Sequence, residues 1–140
     1  MVYREIAKSG APKEKIRVTV CDFMDVHKFL IASDIGLMIY DAKYSALGRS
    51  PTKMGEYWAC GLPVLTMRNV GDLNLIIDRY PGSGVQFLEF ADADYKQCLK
   101  EALSLSIAKE TLREYAVDYF DVNKGVKRYH RVYRQLSKRG

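Results

Sequence analysis

The stretch Ile35-Gly36-Leu37-Met38-Ile39-Tyr40, followed after a polar loop by Ser50-Pro51-Thr52-Lys53-Met54-Gly55-Glu56-Tyr57-Trp58-Ala59-Cys60-Gly61 and then by Pro63-Val64-Leu65-Thr66, decides the fold class. The first and last runs are short and apolar on both sides, which suits strands of a parallel sheet covered on two faces. The middle run opens with Ser-Pro, a helix start, and closes on a glycine stop. It is therefore a β-α-β unit. Working outward, Ile16 to Val20 and Gly84 to Leu88 read as two more strands, Asp25 caps a helix running to about Ala32, and Asp72 opens another through Ile77. Pro81-Gly82 supplies a further stop. Beyond Leu88 the strand pattern ceases. Residues 92 to 119 read as one or two helices with Tyr95, Leu99, Ala102, Leu103 and Leu112 on the buried side. The order is βαβαβαβ and then helices, which predicts a doubly wound, Rossmann-like α/β domain with a mainly parallel sheet and helices on both faces. No internal repeat is present.

The chain has 140 residues, room for a single domain over 1–140. With 48% hydrophobic and 28% charged residues and no low-complexity tract, it is a packed globular chain and not a disordered one. Its longest apolar runs fall far short of the roughly 20 residues that span a bilayer, and the N-terminus is polar, so it reads as cytosolic. Cys21, Cys60 and Cys98 are odd in number and never form C-x-x-C, so neither a disulfide nor a metal site is expected. Met1 to Ser9 looks like the tail of a helix ending at Gly10, with Tyr3, Ile6 and Ala7 on one face and no strand before it.

The formal net charge is +5, and residues 121–140 carry seven bases against one acid, Asp121, leaving the rest of the chain about neutral. Within that segment Val122, Val126, Tyr129, Tyr133 and Leu136 are spaced as one helical seam, with Lys124, Lys127, Arg128, Arg131 and Arg134 on the other faces. The first reading is a helix packing its seam on a neighbouring lobe; the second is docking on an anionic membrane surface. Aromatics do not interleave with a basic stripe elsewhere, so no nucleic-acid partner is expected.

In open α/β sheets ligands bind beyond the carboxyl ends of strands, which directs attention to the segments after Tyr40 and after Thr66. Ser50 suits an N-cap and Pro51 the first turn, leaving the Thr52 and Lys53 amides free at the positive end of the helix. Free amides, a hydroxyl and an ammonium suit a diphosphate. Glu56 lies on the same face one turn deeper, where a carboxylate would repel a bare anion but can accept both hydroxyls of a ribose. The same residues also make an ordinary helix start with an ordinary i,i+3 ion pair, and spacing leaves both readings open. Gly71-Asp72 reads by itself as a turn glycine and a helix cap. Cys60 with His27 as a nucleophile and base has nothing to mark it as activated.

The ordered string Ser50 to Val64, with Ala32-Ser33-Asp34-Ile35-Gly36-Leu37 before it and Val70-Gly71-Asp72 after it, resembles the C-terminal, donor-binding half of GT-B glycosyltransferases, closest to the retaining family-4 group. Tyr119-Phe120, Gly125-Val126 and Arg128-Tyr129-His130-Arg131-Val132-Tyr133 look like the closing helix of that group. The resemblance runs from about Tyr3 to Leu136. It implies a nucleotide-diphosphate sugar as donor substrate, with the diphosphate held at Ser50, Thr52 and Lys53, the ribose at Glu56, and the donor sugar near Gly71 and Asp72. It implies no metal or other cofactor. It also implies sugar transfer to an acceptor in polysaccharide or glycolipid synthesis, in the cytoplasm or at the inner face of its membrane. Two departures stand out. Many members carry a second glutamate eight residues before the ribose one, where this chain has Gly48. The acceptor lobe and the first strands of the donor lobe are also absent, so the chain reads as part of an enzyme. The rival readings are a nucleotide-sugar epimerase of the same architecture and a non-catalytic nucleotide-binding or membrane-docking module.

Overall fold

The computed structural model describes residues 2–40, 44–88 and 92–138. Three parallel strands, β1 (Gly36–Met38), β2 (Val64–Met67) and β3 (Gly84–Phe87), form one open sheet in the order β1-β2-β3. Helices α1 (Val2–Lys8) and α2 (Val26–Ile31) precede it. Helix α3 (Thr52–Ala59) joins β1 to β2, and α4 (Leu73–Arg79) joins β2 to β3. Then come α5 (Asp92–Leu103), α6 (Lys109–Phe120) and α7 (Val122–Ser137). Gly10, Gly61 and Gly82 take left-handed φ values of 66°, 73° and 77° where the sequence places stops.

Residues paired across a parallel ladder share a face. Gly36, Val64 and Gly84 lie in one row; Leu37, Leu65 and Val85 lie in the next, on the opposite face. The first face takes α3 and α4: the Tyr57 ring lies over Gly36, where a Cβ would come within 2.5 Å of it, and Ile77 reaches Gly84. The second takes α5, whose Tyr95 ring meets Phe87 edge-on at 5.4 Å. Every residue of the central strand β2 is buried, as its unbroken apolar run requires. Its single hydroxyl, on Thr66, donates to the Met38 carbonyl at 3.0 Å, so the strand carries no unpaired side-chain polar group.

Helix α6 packs on α3. Gly55 lets the two approach, since a Cβ there would meet the Phe120 ring at 2.8 Å. One turn on, Trp58 is fully buried among Tyr80, Tyr115 and Phe120, with ring centroids 5.4, 6.0 and 5.8 Å away, and its indole N–H donates to the Ser83 carbonyl at 3.2 Å. Edge-to-face rings of this kind add to the area they bury.

Several expectations are corrected. Ile16 to Val20 forms no strand; it follows a short 3-10 turn as exposed irregular chain, with Val20 97% exposed. Its local pattern is strand-like, but a strand exists only against a partner, and no described strand lies beside it. The strand expected over Ile35 to Tyr40 is three residues long, since β1 has one neighbour among the described strands and Leu37 and Ile39 stand half exposed on the α5 face. Residues 92 to 119 form two helices, in which Ala102 and Leu112 are buried and Tyr95 and Leu99 pack on the core. Leu103 is instead 60% exposed; Cys98 takes the buried position that completes the α5 stripe. Asp25 stands at the start of α2 but makes no capping bond; its carboxylate pairs with Lys28 at 2.7 Å, and Asp22 caps the turn before it. The side chain of Tyr3 and residues 41–43 of the loop after Tyr40 lie outside the described residues.

Asp118 on α6 ties three helices together. It accepts from the Tyr80 hydroxyl at 2.6 Å, from Arg79 at 3.1 Å and from Lys124 at 2.9 Å. The Tyr80 hydrogen bond, with Lys124 behind it, lowers its carboxyl to about 2. Burial, with the bond to Asp118 behind it, pushes Tyr80 up to about 12. The signs give opposite windows. A depressed carboxylate contributes stability at neutral pH that is lost as pH falls from roughly 4 toward 2. A raised phenol contributes stability that is lost as pH climbs from about 10 through 12. Tyr80→Phe is expected to flatten the alkaline loss in a series of denaturant titrations and to shift the acid loss of Asp118 to higher pH. An unchanged alkaline limb would show that Tyr80 does not carry it.

Candidate functional site

The loop before α3 and the turn before α4 meet at the carboxyl ends of β1 and β2. The Gly71 amide donates to the Ala46 carbonyl at 3.0 Å, and Gly71 lies so close to Arg49 that a Cβ would overlap the Arg49 carbonyl oxygen. Its φ of 51° is also left-handed, so both space and backbone call for glycine. The two segments singled out from sequence are thus brought side by side.

The start of α3 differs in detail from the expectation. Pro51, not Ser50, occupies the N-cap, with φ −82° and ψ 58°. Those angles make an inverse γ-turn, and the Thr52 amide donates back to the Ser50 carbonyl at 3.0 Å. The Thr52 amide is therefore not free. The reason is that Pro51 has no N–H and a fixed φ, which favours this tight turn over a serine side-chain cap. Among the described residues no backbone carbonyl takes up the Lys53 amide. Ser50, Thr52, Lys53 and Glu56 are all exposed, while Met54, Gly55 and Trp58 are buried, so the helix presents Thr52, Lys53 and Glu56 on its outer side.

Thr52 and Glu56 border a groove of about 700 Å³ between α3 and the α6–α7 junction, walled by Arg113, Val117, Phe120 and Val122. Lys53 is not among the residues bordering it. On its other flank Glu56 borders a smaller apolar groove of about 300 Å³ with Phe23, Met24, Leu30, His27 and Cys60. His27 and Cys60 do share that groove, but burial raises the Cys60 thiol above its ordinary value, with Arg113 only partly opposing. A thiol held protonated is no ready nucleophile.

Asp72 is bonded to α6. It stands at the N-cap of α4 without making a capping bond; one carboxylate oxygen accepts from the Tyr119 hydroxyl at 2.8 Å, and the other is buried with no hydrogen-bond partner among the described residues. Burial, and then this bond, raises Tyr119. Gly48, where many members of the resembled family have a glutamate, has nothing among the described residues within 4 Å of a Cβ placed on it. Four residues of the site had no role assigned from sequence. Asn69 holds a positive φ of 61°, the Asn69 amide donates to Asn74 Oδ1 at 3.0 Å, and Asn74 is held in turn by Gln86 at 3.0 Å. Asn69, directly before Val70-Gly71, is the one of these with a readable signal, since asparagine tolerates the left-handed region. Arg49 stacks its guanidinium over Tyr40 at 5.6 Å. Among the described residues no group of His, Cys, Asp and Glu is arranged to hold a metal ion, and no helix is long and apolar enough to cross a membrane.

No protein-family model matches the chain, and neither the curated proteins nor the solved structures contain a significant match to it. What is established is the class: an α/β chain with a small open parallel sheet, compatible with a coarse Rossmann-like fold.

Proposed function

We propose that the chain binds the nucleoside-diphosphate part of a sugar donor and serves glycosyl transfer, as the donor lobe of a GT-B-type enzyme. One observation carries the reading. The exposed face of α3 bearing Thr52, Lys53 and Glu56 starts beside the Gly71 turn at the carboxyl ends of adjacent parallel strands. The Lys53 amide and ammonium, with the hydroxyls of Ser50 and Thr52, would take the diphosphate and stabilise the charge that develops as it leaves. Glu56 would accept the two ribose hydroxyls and so fix the nucleoside. Gly71 would keep the neighbouring backbone close to the sugar. Asp72, committed to Tyr119, acts in this reading by anchoring its loop to α6 rather than by touching the sugar.

Calorimetry with UDP and GDP tests it. Either nucleotide is expected to bind, and inorganic phosphate to bind much more weakly. Removing a charge-assisted hydrogen bond costs about 1.5 to 3 kcal/mol, so Lys53→Ala and Glu56→Ala should each weaken the nucleotide by roughly ten- to a hundredfold. They should differ in kind: Lys53→Ala flattens the salt dependence, and Glu56→Ala removes the preference for a ribonucleotide over an analogue lacking the ribose hydroxyls. Nucleotide binding untouched by both substitutions would refute the assignment.

A further inference from the structure

We propose that α7 is an interfacial anchor that lays its apolar seam on an anionic phospholipid surface. Helix α7 leaves the body of the chain at Asp121, which caps it by accepting from the Asn123 amide, and Lys124 is tied back to Asp118 at 2.9 Å. Beyond that joint no residue of the helix is buried. Val122, Val126, Tyr129, Val132, Tyr133 and Leu136 are between 51 and 72% exposed. At about 100° per residue they fill an arc roughly 120° wide. The opposite arc holds Lys127, Arg128, Arg131, Arg134 and Lys138, and residues 122–138 contain no acid. Four of these cations, with His130, border one shallow depression of about 360 Å³ on the polar side.

Both faces need an explanation, and few partners supply one: a neighbouring lobe, the first reading of the sequence, would cover the seam but give the acid-free run of cations over 124–138 no counter-charge. A nucleic acid would neutralise the cations and leave the seam in water. A second copy of the helix would cover the seam but leave both acid-free cationic faces, on the outer sides of the pair, without counter-charge. A seam of about two heptads is also shorter than the three or four that sustain a coiled coil. An anionic bilayer satisfies both: the seam sinks into the boundary between headgroups and acyl chains, tyrosines sit at headgroup depth, and the long Arg and Lys stems reach phosphates. The proposal is independent of what the α3 face binds.

The full chain should be sedimented at low salt with vesicles of phosphatidylcholine alone and of phosphatidylcholine mixed with phosphatidylglycerol. Partitioning to the anionic vesicles is expected to exceed that to the neutral ones by roughly tenfold or more. The pair Arg131→Gln and Arg134→Gln should reduce it by roughly thirtyfold. The pair Tyr129→Ser and Tyr133→Ser should reduce it by roughly tenfold or more. These side chains are exposed, so thermal melts should match the parent and separate lost docking from lost folding. Equal binding to both vesicles, no binding to either, or loss with the arginine pair but none with the tyrosine pair would each overturn the proposal. So would a dimer in sedimentation equilibrium that the tyrosine pair abolishes.

Discussion

Trp58→Ala is expected to lower the unfolding free energy by about 3 to 5 kcal/mol, the cost of emptying a large aromatic site in a packed interior. The value should fall at the upper end, because the loss is compound. Trp58 is fully buried, touches three aromatic rings from the segments after α4 and along α6, and is the donor to the Ser83 carbonyl. The cavity cannot close easily, since α3 and α6 are already in contact at Gly55 and Phe120 and cannot move nearer. The Ser83 carbonyl also accepts from the Val64 amide at 3.1 Å, so the substitution removes one of its two bonds and does not orphan it, and the cavity carries most of the loss. Small domains are stable by roughly 5 to 15 kcal/mol, so the alanine variant sits near the edge of folding. Trp58→Phe keeps most of the volume and loses the donor; about 1 to 3 kcal/mol is expected for it. Urea titrations followed by circular dichroism measure both. A loss below about 1 kcal/mol for alanine would show that the α3–α6 contact is not the centre of the core.

The position of this tryptophan shows where sequence reading reaches and where it stops. The strands read over Pro63 to Thr66 and Gly84 to Leu88 appear, within a residue at each end, as β2 and β3, because parallel strands covered by helices need apolar residues on both faces and that demand is written locally. Ile16 to Val20 has the same local character and no partner among the described strands, so the identical signal misleads. Pairing is a long-range fact. The same division runs through the site. Thr52, Lys53 and Glu56 share an exposed helix face, as their spacing requires. The turn at Pro51, the commitment of Asp72 to Tyr119 across 47 residues of sequence, and the fit of Gly71 against Arg49 depend on backbone paths that spacing does not carry. The seam of α7 was legible as a seam, but its exposure was not, because periodicity shows which residues share a face and not what covers it.

Gly71→Ala tests that fit directly. Two costs add. An L-residue in the left-handed region is disfavoured by roughly 1 to 2 kcal/mol, and Gly71 has a φ of 51°. The new Cβ would also overlap the Arg49 carbonyl oxygen, a backbone atom that no side-chain rotation can remove. Relief requires the turn at 69–72 to move off the loop at 46–49, which breaks the bond from the Gly71 amide to the Ala46 carbonyl and adds about 1 kcal/mol. A total loss of about 2 to 3 kcal/mol is expected in denaturant titration, with faster hydrogen exchange at residue 71. Gly48→Ala is the control. It lies in the same pair of loops, its Cβ would meet nothing among the described residues within 4 Å, and its effect should stay within about 0.5 kcal/mol. The contrast separates close approach from the general cost of replacing a loop glycine. If Gly71 and the face of α3 together form the nucleotide site, Gly71→Ala should also weaken UDP or GDP by more than Gly48→Ala does, because displacing one wall of a converging site misplaces every contact on the other. Equal behaviour of the two variants in stability and in nucleotide affinity would show that the loops do not press together, and the geometric basis for the site would fall with them.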